Sequence, residues 1–163
     1  MYKRYIKDKE AYIAGGTVER ERNRSIYAAK VVPLELKRAY GKAERAFAEG
    51  RFDIAVEQYG EAIKADPKCA NAYFNRAIAN AVLDKYADAE KDISAVLKLE
   101  PESHDALYVM AVLSEQKQKY EEAKILYTKS LLRKPGYENA LDGLKRVRET
   151  LRRSESVPLS VVQ

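Results

Sequence analysis

The chain is 163 residues long, 46% hydrophobic and 34% charged, with 12 tyrosines, 3 phenylalanines and no tryptophan, a composition too apolar for an unfolded chain and sufficient for one packed domain. Its net charge of +5 is unevenly spread, with eight Lys or Arg against four acids in residues 1–30 and seventeen of each in residues 31–137, so an electrostatic partner would be met by the ends rather than the middle. The single Cys69 excludes an internal disulfide and a cysteine zinc site, and neither an export signal nor an apolar run of about 18 residues is present; the expected compartment is the cytoplasm, free or on a cytoskeletal or organellar assembly.

Residues 1–35 come first and are basic. Tyr5, Tyr12, Gly16, Val18, Ala28 and Pro33 fit the 34-residue register that follows, but the two positions that are small in that register hold Lys9 and Glu21. This segment reads either as a degenerate helical pair or as a basic N-terminal arm. Gly15-Gly16 predicts a turn, because no lysine with a following Ser or Thr stands at phosphate-loop spacing.

From Pro33 onward a period takes over. Pro33, Pro67, Pro101 and Pro135 recur at an unchanged spacing of 34, and in the same register fall Ala43, Ala77 and Ala111; Ala55, Ala89 and Ala123; Phe52, Tyr86 and Tyr120; and Tyr59, Ile93 and Tyr127. Each unit (36–69, 70–103, 104–137) breaks once, at Gly50, Asp84 and Gln118. On either side of the break apolar residues stand three or four apart, as in Tyr73, Ala77, Ala81 and in Ile54, Tyr59, Ala62, Ile63. The period predicts two amphipathic helices per unit, close together where the alanines fall. No such unit buries its apolar face alone, so the units must stack.

Residues 138–153 predict a closing helix, with Leu141, Leu144, Val147 and Leu151 on one face and Asp142, Lys145, Arg148, Glu149 and Arg152 around the other. Lys145, Arg146, Arg148, Arg152 and Arg153 make a basic end. In the tail, 154–163, Pro158 keeps the apolar residues around it from extending the helix.

Catalytic and metal chemistry find no material. His104 is the only histidine, so neither a histidine-containing nucleophile triad nor a multi-histidine metal site can be assembled; it is expected at the surface. Cys69 reads as an unreactive loop thiol, and acidic pairs such as Glu121-Glu122 as solvated helix surface. The chain is expected not to be an enzyme and to need no cofactor or metal.

The alternation of a small residue, alanine, a large apolar residue and proline within 34 residues resembles the tetratricopeptide repeat family over 36–137. The resemblance implies an all-α, right-handed solenoid of helical pairs, three repeats with a C-terminal capping helix. Its departures are Ala39 and Leu107 where the first helix carries an aromatic, and Lys42, Arg76 and Met110 where a leucine is usual. The resemblance also implies a protein-protein interaction module, an adaptor or a structural subunit of a larger assembly, holding a peptide or helix on the concave face of the first helices. In this register that face holds Lys37, Tyr40 and Glu44; Asn71, Phe74, Asn75 and Ile78; and Asp105, Tyr108, Val109 and Val112. Tyr40, Phe74 and Tyr108 form a ladder, with Phe74 expected as the best-desolvated anchor.

Two alternatives can be weighed on residues. Chaperone adaptors of this family clamp a terminal carboxylate with Lys, Asn, Asn, Lys and Arg, and here those positions hold Tyr40, Glu44, Asn75, Asp105 and Val109, two of them acids that would repel the ligand. Related helical repeats read RNA, but the expected face is charge-balanced and apolar where phosphate contact needs a basic track.

Overall fold

In a computed structural model that describes residues 33–155, the side chain of Glu155 excepted, seven helices are laid out at the period of the sequence: α1 Leu34–Ala48, α2 Phe52–Ala65, α3 Ala70–Val82, α4 Tyr86–Leu99, α5 His104–Gln116, α6 Tyr120–Arg133 and α7 Glu138–Glu155. The described residues contain helices and turns and no strand. The arm or helical pair read into residues 1–32, and the tail beyond 155, lie outside them.

The breaks turn the chain by one recurring device. Gly50, Asp84 and Gln118 have φ of +75°, +58° and +59°, the left-handed conformation that closes a helix. In each case the next N–H returns to a carbonyl five residues back, Arg51 to Ala46, Lys85 to Asn80 and Lys119 to Ser114, all at 2.9 Å. This satisfies carbonyls that would otherwise be orphaned at the helix end and reverses the chain within three residues. The prolines act one step later. Each second helix ends two residues before Pro67, Pro101 or Pro135, and the intervening Asp66, Glu100 and Lys134 are extended, with φ of −144°, −133° and −135°, because a residue before proline is crowded out of the helical region.

Packing follows the small positions. All six alanines of the register, Ala43, Ala77, Ala111, Ala55, Ala89 and Ala123, are 0% exposed, so the helices of each pair meet backbone to backbone. Tyr59, Ile93 and Tyr127 fill the space beneath, at 2%, 0% and 0%. Three apolar clusters result, from α1 to α3, from α3 to α5 and from α5 to α7. Each includes residues of neighbouring repeats, so the units are stable only as a stack. Arg76, at a position usually leucine, ties α3 to α4 instead. It donates to both oxygens of Asp92, at 2.8 and 2.6 Å, with Asn80 at 3.5 Å, and that hydrogen-bonded carboxylate holds the guanidinium pKa above its usual value.

α7 closes the third cluster with Ala140, Leu144 and Val147. Leu141 is 47% exposed, a correction to the apolar face read from the sequence: the buried stripe runs through Ala140, Gly143, Leu144 and Val147, and Leu141 falls on the side of α7 that no second helix covers among the described residues. A Cβ at Gly143 would stand 2.9 Å from Tyr127 Cε2 and closer still to Cζ and Cε1.

Candidate functional site

The first helices α1, α3 and α5 share one face, and the residues expected on it divide by depth. Phe74, Ile78 and Val109 are buried, at 8%, 8% and 6% exposure, in the central cluster with Ile93 and Val96. Tyr40, Glu44, Asn71, Asn75, Asp105, Tyr108 and Val112 are half-buried, and Lys37 is exposed. The three rungs of the expected ladder are therefore unequal. Phe74 is a core residue that supports the face from below, while Tyr40 and Tyr108 are each partly open to solvent.

Each outer rung rests on a second-helix aromatic. Tyr40 meets Tyr59 edge-on at 5.5 Å. Tyr108 lies tilted on Tyr127 at 5.9 Å and edge-on to Tyr137 at 5.3 Å, geometries that favour aromatic pairs. Between α1 and α3, the Asn75 side-chain amide donates to Tyr40 Oη at 2.8 Å. At the α5 end, burial first, reinforced by the Asp105 carboxylate, pushes the Tyr137 phenol far up.

Tyr137 was not legible as part of this face. Its signal is the register: the equivalent positions hold Cys69 and Ser103, so a ring where two repeats place a small residue marks a local change. It also corrects the reading of His104 as a surface residue. His104 is half-buried, edge-on to Tyr137 at 5.4 Å, and its Nε2 lies 3.5 Å from Asp105 Oδ2 without a hydrogen bond. Cys69, read as a loop thiol, is 4% exposed and belongs to the first cluster.

The expected basic end is also not uniform. Arg146 donates to both oxygens of Glu115, at 2.6 and 2.8 Å, and Glu115 accepts from Tyr127 Oη at 2.8 Å. Its charge is spent holding α7 to α5. Burial first, and Glu115 second, push the Tyr127 phenol far up. Lys145, Arg148, Arg152 and Arg153 remain exposed.

At the five positions where the resemblance places a carboxylate clamp, no cation stands: Tyr40, Glu44, Asn75 and Asp105 are half-buried there and Val109 is buried. Asn75 alone keeps the clamp residue type, and one N–H of its amide is engaged by Tyr40. Among the described residues no three His, Cys, Asp or Glu gather to hold a metal ion, and no helix is long and apolar enough to cross a membrane.

A tetratricopeptide repeat family model matches residues 40–92 and again 82–138. Sperm-associated antigen 1 of Rattus norvegicus is 34% identical over 126 residues, 77% of this chain and 14% of that protein. Hsp70-Hsp90 organizing protein 1 of Glycine max is 27% identical over 113 residues, 69% of this chain and 20% of that protein. The chain thus spans a fifth or less of the length of these two curated relatives. Among solved structures, the first tetratricopeptide domain of Spaghetti (RPAP3), bound to the HSP90 peptide SRMEEVD, aligns at 28% identity with a TM-score of 0.70, covering 72% of this chain and 94% of that one. Period, helical pairs and family match agree, and the chain belongs to the tetratricopeptide repeat family.

Proposed function

We propose that the chain is a non-enzymatic adaptor module, or a structural subunit of a larger cytoplasmic assembly, that holds an extended or helical segment of a partner protein on the face of α1, α3 and α5. The observation that carries this reading is the pair of half-buried tyrosines, Tyr40 and Tyr108, each braced from beneath by a second-helix tyrosine. Braced aromatic side chains of this kind bury area at small entropic cost and serve as anchors. The peptide bound to the related RPAP3 domain supports the class of ligand.

The manner of binding is set by charge. A ligand ending in acids, as SRMEEVD does, would meet Glu44 where a clamp has an asparagine and Asp105 where it has a lysine, and repulsion opposes binding. The segment held here is instead apolar, with neutral or basic flanks, and docks through its interior rather than its terminal carboxylate.

Calorimetric titration tests both halves. SRMEEVD should show no saturable binding below about 1 mM. A peptide selected from a displayed library should bind, and lose about tenfold in affinity in Tyr108→Ala, the equivalent of about 1.4 kcal/mol. Tight binding of SRMEEVD that disappears in Asn75→Ala would restore the carboxylate clamp and overturn the reading.

A further inference from the structure

α7 stands in the register of a first helix, and it has no second helix within the described residues. Three of its positions can be compared with α5, one repeat earlier. Leu107, Ala111 and Ser114 are 8%, 0% and 3% exposed, and Ala111 lies in one cluster with Ala123 and Tyr127 of α6. Thirty-four residues on, the same positions are Leu141, Lys145 and Arg148. Leu141 is 47% exposed and the two cations are exposed. The face that α5 buries under its partner is therefore open on α7, and two of its three positions have changed from small to basic.

Along this face Lys145, Arg148 and Arg152 stand three and four residues apart, one stripe of a helix, with Leu141 four residues before the first. They edge an open hollow that also includes Leu144, Asp142 and Glu149. None of the three cations forms an ion pair with a described residue. Some cations of the third repeat and of α7 do, Lys117 with Glu90, Lys124 with Glu121, Arg133 with Glu102 and Arg146 with Glu115.

We propose that this face of α7 docks an acidic amphipathic helix of another protein, in the place a second helix would take. Ala111 and Ser114 let α6 approach closely; Lys145 and Arg148 in their place hold the occupant further off. Their apolar stems then cover its flank while their charged heads reach carboxylates on its rim. Leu141 supplies the apolar contact. Charge opposes two other occupants, since the same face of a second copy brings three cations against three and residues 1–32 carry eight cations against four acids, while residues 156–163 carry no acidic side chain to meet the cations. Asp142 and Glu149 break the basic stripe and, with Leu141, favour a protein helix over a continuous phosphate track.

The probe is a labelled 18-residue synthetic helix with three leucines on one stripe and glutamates at i, i+3 and i+7 beside it, followed by fluorescence anisotropy. Its affinity should be at least tenfold greater than that of the same composition with the glutamates scattered around the helix. It should fall at least tenfold in the Lys145→Glu/Arg148→Glu/Arg152→Glu variant and severalfold in Leu141→Ser, with circular dichroism unchanged because all four side chains are largely exposed. Equal affinity for the ordered and scattered peptides, or binding indifferent to the triple reversal, would overturn the proposal. So would tighter binding of a single-stranded RNA 12-mer or of phosphatidylserine vesicles lost in that same variant, which would make the face a polyanion surface.

Discussion

Asn75 donates its side-chain amide to Tyr40 Oη at 2.8 Å, across the seam between the first and second repeats. The bond fixes the outer aromatic rung and engages one N–H of the one side chain that this face shares with a carboxylate clamp. A partly buried neutral hydrogen bond contributes about 0.5–1.5 kcal/mol net. Tyr40→Phe and Asn75→Ala, with the double variant, should therefore show a coupling energy in that range by urea unfolding. Purely additive losses would mean that the two side chains act independently.

Gly143 is required where α7 crosses the Tyr127 ring, because any side chain there enters the ring's own space. Gly143→Ala should destabilise the array by about 1–3 kcal/mol, the cost of overpacking a closed core, even though alanine is the better helix former. Thermal unfolding checks this. A rise in the melting temperature would mean that α7 is seated differently.

Phe74 tests the division of the face into floor and edge. With 8% exposure among Ile78, Ile93, Val96 and Val109, Phe74→Ala should cost about 3–5 kcal/mol of stability, whereas Tyr108→Ala should act more on binding. Chemical denaturation of both variants separates them, and a Phe74→Ala protein as stable as the parent would return Phe74 to the role of a free anchor.

Ala89 and Glu121 separate the buried register from the surface. Ala89 is 0% exposed between α3 and α4, and Glu121 is exposed on α6. Ala89→Glu should unfold or severely destabilise the chain, since an unpaired buried charge costs several kcal/mol, and Glu121→Ala should change stability by less than about 0.5 kcal/mol. Equal melting of the two would mean that the 34-residue register is misplaced.

Much of this was legible because it repeats. A left-handed residue at Gly50 could be guessed from glycine alone, but Asp84 and Gln118 earn the same reading only through their spacing from it, and all three carry positive φ. What the period could not supply is found where the side chain departs from it. Phe74 and Tyr108 occupy equivalent positions, yet Phe74 sinks into a cluster of aliphatic neighbours while Tyr108 is held up by Tyr127 and Tyr137. The seat of α7 is set by Gly143 against Tyr127, a pairing of residues in different helices that no helical wheel of α7 contains. The Arg146 to Glu115 bridge is likewise a tertiary fact, invisible in a count of basic residues.

Alkaline pH should loosen the cap end first. Burial holds the phenols of Tyr127 and Tyr137 neutral, and the Glu115 and Asp105 carboxylates beside them act in the same direction. In the unfolded chain both revert to the ordinary phenol value of about 10. Below that pH each phenol is protonated in both states and its contribution to stability is complete. Above it the unfolded chain releases protons that the folded chain keeps, so stability falls by about 1.4 kcal/mol per pH unit for each tyrosine. Melting temperatures measured from neutral pH upward should be flat and then drop beyond about pH 10, with the ultraviolet tyrosinate signal of these two rings appearing only as the chain unfolds. Tyr137→Phe removes one of the two phenols and should make that drop shallower. If the tyrosinate signal instead rises fully near pH 10 in a chain that is still folded, the two hydroxyls are not shielded by α7 and the third cluster is more open than its packing indicates.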